Sequence, residues 1–201
     1  MKPLDHVERS RLRWPTVGEQ TSTDTEDVVV LVDERDVQVG IAPKLAVHRE
    51  GRLHRAVSVM LFDDDGQALL QRRASRKYHS PGRWSNTCCG HPRPGESTLE
   101  AAKRRLRDEL GIHACDLEHV SKFIYQADLG GGLVEHELDH VFVGRWSGVL
   151  RPDPAEVSAT RWVRRDDLEA NLARSPGRYT AWFPAVVAHA YRSGPTVRSS
   201  G

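Results

Sequence analysis

A chain of 201 residues with a formal net charge of +1 is one large domain or two very small ones, long enough to bury a core. The balanced charge argues against nucleic acid or an anionic membrane as the main partner. Three cysteines, two of them adjacent, make a poor disulfide framework and suit a reducing compartment.

The opening MKPLDHVERSRLRW lacks the apolar stretch of a secretion signal, and no apolar run approaches membrane-spanning length. A cytoplasmic soluble chain, acting as a monomer, is expected. Residues 1–25 and 194–201 carry Pro, Thr, Ser and mixed charge without periodicity, so they are expected to be flexible tails around one domain over 26–193. DVVVLVD (27–33) predicts a buried strand. LHRAVSVMLFD (53–63), the turn DDDG and QALLQRR (67–73) predict a hairpin. WSNTCC (84–89) predicts a short strand. ESTLEAAKRRLRDELG (96–111) is the clearest helix, with Leu99, Ala102, Leu106 and Leu110 on one face and Gly111 as its stop. Strands are expected near 117–127, 133–146 and 157–163, and helices over RRDDLEANLAR and YTAWFPAVVAHAYR. The fold class expected is α/β, a mixed sheet sandwiched by helices.

The helix carries the first chemical signal. Gly90, five residues, Glu96, seven residues and RRLRDELGI (104–112) resemble the Nudix box at every fixed position but two. Arg105 stands where the box has a Glu, and Asp108 replaces another. Such a box gathers carboxylates on one helix to hold Mg²⁺ against a diphosphate. An ordinary solvated amphipathic helix would not explain the loop spacing. Arg105 puts a cation in place of a metal-binding carboxylate, which weakens a hydrolase reading.

HELDH (136–140) fits H-E-x-x-H, but that zinc-protease signature needs a helix. Its surroundings, GGGLVEHELDHVFVGRW, predict a strand. On a strand Glu135, Glu137 and Asp139 share one face, and His136 and His140 the other. His48, His54 and His91, with Glu135 and Glu137, could make an N3O2 site for a divalent transition metal. Nothing in the spacing alone brings these five together.

Four segments in order, KLAVHREGRLH, QRRASRKYHSPGRWSNTCCGHP, CCGHPRPGES and GLVEHELDHVF, resemble type 1 isopentenyl-diphosphate isomerases, which use a modified Nudix fold. The resemblance spans about residues 27 to 190. It implies interconversion of isopentenyl and dimethylallyl diphosphate, adding a proton to one end of an unactivated alkene and removing another. A tertiary carbocation lies between, so an acid, a base and exclusion of water are needed. It implies Cys89 as the catalytic cysteine, with Cys88 a spectator, and Glu137 opposite it. It matches Tyr125 to the tyrosine that hydrogen-bonds at the acid side, and Trp182 to the tryptophan whose π face steadies the cation. The same resemblance assigns His48, His54, His91, Glu135 and Glu137 to one Mn²⁺ or Zn²⁺, and Glu109 to a Mg²⁺ on the diphosphate. Lys44, Arg73, Lys77 and Arg105 become diphosphate contacts, which gives Arg105 its reason. Arg72, Arg76 and Cys115 are left outside the site. A Nudix diphosphohydrolase, indifferent to Cys89, and a non-enzymatic metal binder, indifferent to the cations, are the alternatives.

Overall fold

A computed structural model of the chain describes residues 28–77 and 79–192. The two tails expected at 1–25 and 194–201 lie outside them. The first strands are β1 (Val28–Val32) and β2 (Gln38–Pro43), followed by helix α1 (Lys44–Glu50). Neither β2 nor α1 was anticipated from the sequence, because QVGIAP and KLAVHRE are each too short to show a period. Gly51, at φ 63°, closes α1 in the left-handed conformation that glycine adopts without strain. Then come β3 (His54–Phe62), β4 (Ala68–Arg73), β5 (Trp84–Ser85), β6 (Cys88–Gly90) and α2 (Thr98–Leu110). The chain continues with β7 (Leu117–Gly130), β8 (Leu133–Arg145), β9 (Val157–Val163), α3 (Arg165–Arg174) and α4 (Phe183–Arg192). No helix among the described residues is long and apolar enough to cross a membrane.

The axis of the mixed sheet is β3. Along one edge it pairs in parallel with β8, from His54↔Glu137 to Phe62↔Arg145. Its other edge is shared in succession by β1 at His54, β6 at Val57–Val59 and β4 at Phe62. The expected hairpin of β3 and β4 therefore exists only at its mouth. Beyond it β4 leaves to pair with β9 and β5. Thr87 fills the fork: its hydroxyl donates to the Leu69 carbonyl at 2.7 Å and accepts from the Leu61 N–H at 2.8 Å. For the same reason the strand expected over 84–89 is two pieces. β5 belongs to β4 and β6 to β3, and the chain crosses between them at Asn86 and Thr87.

Alternation along β3 sends its residues to two faces. Val57, Val59 and Leu61 pack with Cys88 and with Ala101, Ala102, Leu106 and Leu110 of α2. Leu99, expected on that buried face, is 38% exposed. Ser97 caps α2 in a reciprocal capping box with Glu100, which fixes where the helix starts. On the opposite face Met60 and Phe62 meet Phe183, Val186, Val187 and Ala190 of α4. This helix starts at Phe183 rather than Tyr179; Pro184, lacking an N–H, is tolerated only in a first turn.

Candidate active site

The face of β3 that carries His54 and Ser58 continues beyond the α4 core as a polar cavity. At its floor, α1 supplies His48, the start of β3 supplies His54, the residue after β6 supplies His91, and β8 supplies Glu135 and Glu137. The five potential ligand atoms all lie within 4.8 Å of one another. His91 Nε2 is 2.8 Å from Glu137 Oε1 and 3.2 Å from His54 Nε2, and His48 Nε2 is 3.4 Å from Glu135 Oε1. His54 Nδ1 lies 3.0 Å from the Arg52 carbonyl, which can only accept, so Nδ1 holds the proton and Nε2 turns a bare lone pair inward. Burial pulls His48 down to about 4 and His91 to about 3, so both rings are neutral near pH 7. Burial, and then the charge of Glu137, push Glu135 well above the usual carboxylate range. Burial alone would raise Glu137, but the imidazoles of His54 and His91 beside it hold it well below that range. Three imidazole lone pairs and two carboxylates converging on one point fit a divalent transition metal.

The register of β6 separates the twin cysteines. Cys88 lies opposite Val59 and Cys89 opposite Ser58, and cross-strand partners share a face. Cys88 is therefore fully buried under α2, while Cys89 lines the cavity. Burial pushes the Cys89 thiol up to about 12, so it carries its proton. Across β3, Tyr125 of β7 lies opposite Glu137 of β8, and its hydroxyl donates to Glu137 Oε2 at 2.5 Å. Deeper, Ser58 Oγ donates to Asp139 Oδ2 at 2.7 Å.

The cavity is about 230 Å³, and eleven of the thirteen site residues expected from the sequence line it; His48 and His54 stand behind. The cations expected there from the sequence come from α1 (Lys44), the end of β4 (Arg73), the following loop (Lys77) and α2 (Arg105), and Arg93 and Arg104 line the cavity as well. Arg105 binds Glu109 at 2.7 Å and Glu156 at 2.9 Å, and Glu156 also accepts from Lys77. Glu109, 3% exposed, accepts from Gln71 at 2.7 Å as well. Arg105 reaches the cavity by passing over Gly90, where a Cβ would stand 2.9 Å from its Cδ. The other box positions form a clamp. Arg104 holds Glu96 in a bidentate pair at 2.8 and 2.9 Å and donates to the His91 carbonyl at 3.0 Å. Trp182 is 4% exposed, donates to Asn86 Oδ1 at 3.2 Å, and has the Arg73 guanidinium 5.7 Å from its ring. HELDH is a strand: His136 turns to the Gly51 carbonyl, and His140 to Asp36 and His119. Arg72 and Arg76 are exposed, and Cys115 lies outside the cavity.

The NUDIX domain family matches residues 52–183. An Aromatoleum aromaticum protein named isopentenyl-diphosphate Delta-isomerase 2 is 49% identical over 164 residues, 81% of this chain and 85% of that protein. An isopentenyl-diphosphate Delta-isomerase of Nocardia farcinica is 50% identical over 161 residues, 79% of this chain and 91% of that protein. The chain belongs to the isopentenyl-diphosphate Delta-isomerases of the NUDIX family. Among solved structures, one from Deinococcus radiodurans has a TM-score of 0.68 at 25% identity, covering 82% of this chain and 99% of that one. A MutT protein of Methanosarcina mazei, at TM-score 0.56 and 20% identity over 70% of this chain and 94% of its own, shares the fold.

Against that Nudix frame, the structure adds residues that the sequence had not singled out: Glu156 and His79 line the cavity, and Gln71 stands behind Glu109, to which it donates. Glu156 comes from a loop, DPAEV, without any motif. Gln71 and His79 lie inside a quoted segment but carried no assignment. For Gln71 the available signal was its place two residues before Arg73 on one strand, which puts both on one face.

Proposed function

We propose that this chain interconverts isopentenyl diphosphate and dimethylallyl diphosphate by protonation and deprotonation through a carbocation. The observation that carries the reading is the placement of two proton-handling groups on opposite flanks of β3. Cys89 sits on β6, and the Tyr125–Glu137 pair on β7 and β8, with β3 running between them and both groups lining the one cavity. An alkene between them meets a proton donor on one side and an acceptor on the other, and the direction of reaction decides which gives and which takes. Trp182 supplies a π face near that position. Lys44, Arg73, Lys77 and Arg105 would hold the diphosphate at the other end of the cavity.

His48, His54, His91, Glu135 and Glu137 would hold one Mn²⁺ or Zn²⁺, whose charge, when bound, stabilises the ionised form of Glu137. Glu109 would hold a Mg²⁺ that accompanies the diphosphate. Hydrolysis is the weaker reading, because Arg105 occupies a box position that otherwise supplies a carboxylate. The deciding experiment incubates the protein with isopentenyl diphosphate and separates dimethylallyl diphosphate from released phosphate. Phosphate release without the isomer would overturn the proposal.

A further inference from the structure

His79 lies between β4 and β5, in a loop pinned at both ends: Arg73 N–H bonds the Arg83 carbonyl at 2.9 Å and Gly82 N–H the Arg73 carbonyl at 3.2 Å. The next residue, Ser80, is held at φ 49°, a left-handed conformation that strains a non-glycine residue. That strained corner turns the imidazole inward, to 8% exposure, against the cavity. There the ring meets several groups of the site, His48 among them, edge-on with ring centroids 5.9 Å apart. Arg73 Nη2 is 3.4 Å from its Nε2 and 3.3 Å from its own carbonyl. Trp182 lies edge-on, with ring centroids 5.9 Å apart. Glu135 Oε2 is 3.9 Å from its Nδ1.

A guanidinium has no acceptor, so Nε2 must accept from Arg73. The proton of the neutral ring is then on Nδ1, the nitrogen facing Glu135. We propose that His79 is a positioning residue that ties a diphosphate-binding cation, Arg73, to a metal-ligand carboxylate, Glu135. It fixes the direction of Arg73 through Nε2 and turns its Nδ1–H toward Glu135, 3.9 Å away and longer than a hydrogen bond, as an electrostatic partner of that carboxylate. This rests on the site reading above. It adds a physical link between the substrate's charged end and the metal floor, so that ordering one side orders the other.

Two isosteric variants separate the two arms. In His79→Gln the amide oxygen can replace Nε2, but nothing replaces Nδ1–H. In His79→Asn the amide nitrogen can replace Nδ1–H, but nothing reaches Arg73. Each variant is stripped, titrated with Mn²⁺ against a competing chelator, and assayed for KM and kcat on isopentenyl diphosphate. His79→Gln should keep KM near the wild-type value and lose Mn²⁺ affinity by about 10-fold or more, the usual effect of removing an outer-shell partner. His79→Asn should show the reverse, with Mn²⁺ affinity kept and KM raised about 10-fold, as for loss of one charge-assisted bond. Equal effects of both variants on both quantities, or a fall in melting temperature with neither quantity changed, would reduce His79 to a packing residue and overturn the proposal. His54→Ala runs beside them. If it keeps full Mn²⁺ affinity, the metal site itself is misread and the Glu135 arm falls with it. If it loses the metal while both His79 variants bind normally, only the link is wrong.

Discussion

Replacing each of the twin cysteines by serine should separate stability from activity. Cys88 is fully buried among Val57, Leu106 and Leu110, so a serine there places a hydroxyl in an apolar core. An unsatisfied buried hydroxyl costs about 1–3 kcal/mol. For a domain of this size each kcal/mol is worth about 2–4 °C, so Cys88→Ser should lower the melting temperature by roughly 2–12 °C. Its activity should stay within about two-fold, because nothing on the cavity face moves. Cys89 points into a polar-lined cavity, where a hydroxyl finds polar neighbours. Cys89→Ser should change the melting temperature by no more than about 2 °C, in line with substitutions outside a packed core. It should lower kcat by about 100-fold or more, the range ascribed to a positioned acid or base. The assay is product formation from isopentenyl diphosphate, run beside a thermal melt. A fully active, normally melting Cys89→Ser protein, or a stable but inactive Cys88→Ser protein, would refute the face assignment read from the β6 register.

Arg105→Ala should weaken apparent binding of isopentenyl diphosphate by about 10-fold, and Arg105→Glu further, since reversal sets a third carboxylate beside Glu109 and Glu156; unchanged KM in a folded Arg105→Glu protein sinks the contact. Gly90→Ala should imitate a milder Arg105 variant, with KM raised about five-fold and kcat little changed, because the new Cβ displaces the Arg105 stem from 2.9 Å. Purified protein should carry about one tightly held transition-metal ion, lost with activity on chelation, and His91→Ala should lower that content; metal analysis checks both. Asp36→Asn should destabilise the protein at neutral pH. Burial pushes the Asp36 carboxyl up, but Arg55, His140 and Lys122 pull it further down, below its usual 3.8. A depressed carboxylate contributes stability above its unfolded pKa and loses it as pH falls through the folded one, so the deficit of the mutant should shrink below about pH 4. Melts from pH 7 to pH 3 that run parallel would contradict this.

Local signals were enough for much of the fold. The period of 3.6 and the stop at Gly111 marked α2, and the turn DDDG after a β-branched run marked β3 and β4. The box spacing carried information beyond the helix, and the clamp of Arg104 on Glu96 and the His91 carbonyl now supplies its physical reason. Strand alternation correctly put Glu135, Glu137 and Asp139 together and turned His136 away, which removed the protease reading. The splitting of 84–89 into β5 and β6 was out of reach, since it depends on where two other strands diverge. So were α1, too short for a visible period, and Glu156, which no motif marks.

What the sequence by itself determined is the set of chemical groups: two cysteines, three histidines, two glutamates two apart, and a helix with one cation out of pattern. Only the tertiary structure decided which of them act together. Cys88 and Cys89 are chemically identical neighbours, and pairing opposite Val59 or Ser58 sends one into the core and the other into the cavity. His48 and Glu135 are 87 positions apart in the chain, and they meet because α1 packs beside β8. Convergence of this kind is a property of sheet register and helix placement. Both arise from burying apolar faces all along the chain, and so cannot be read from the site residues themselves.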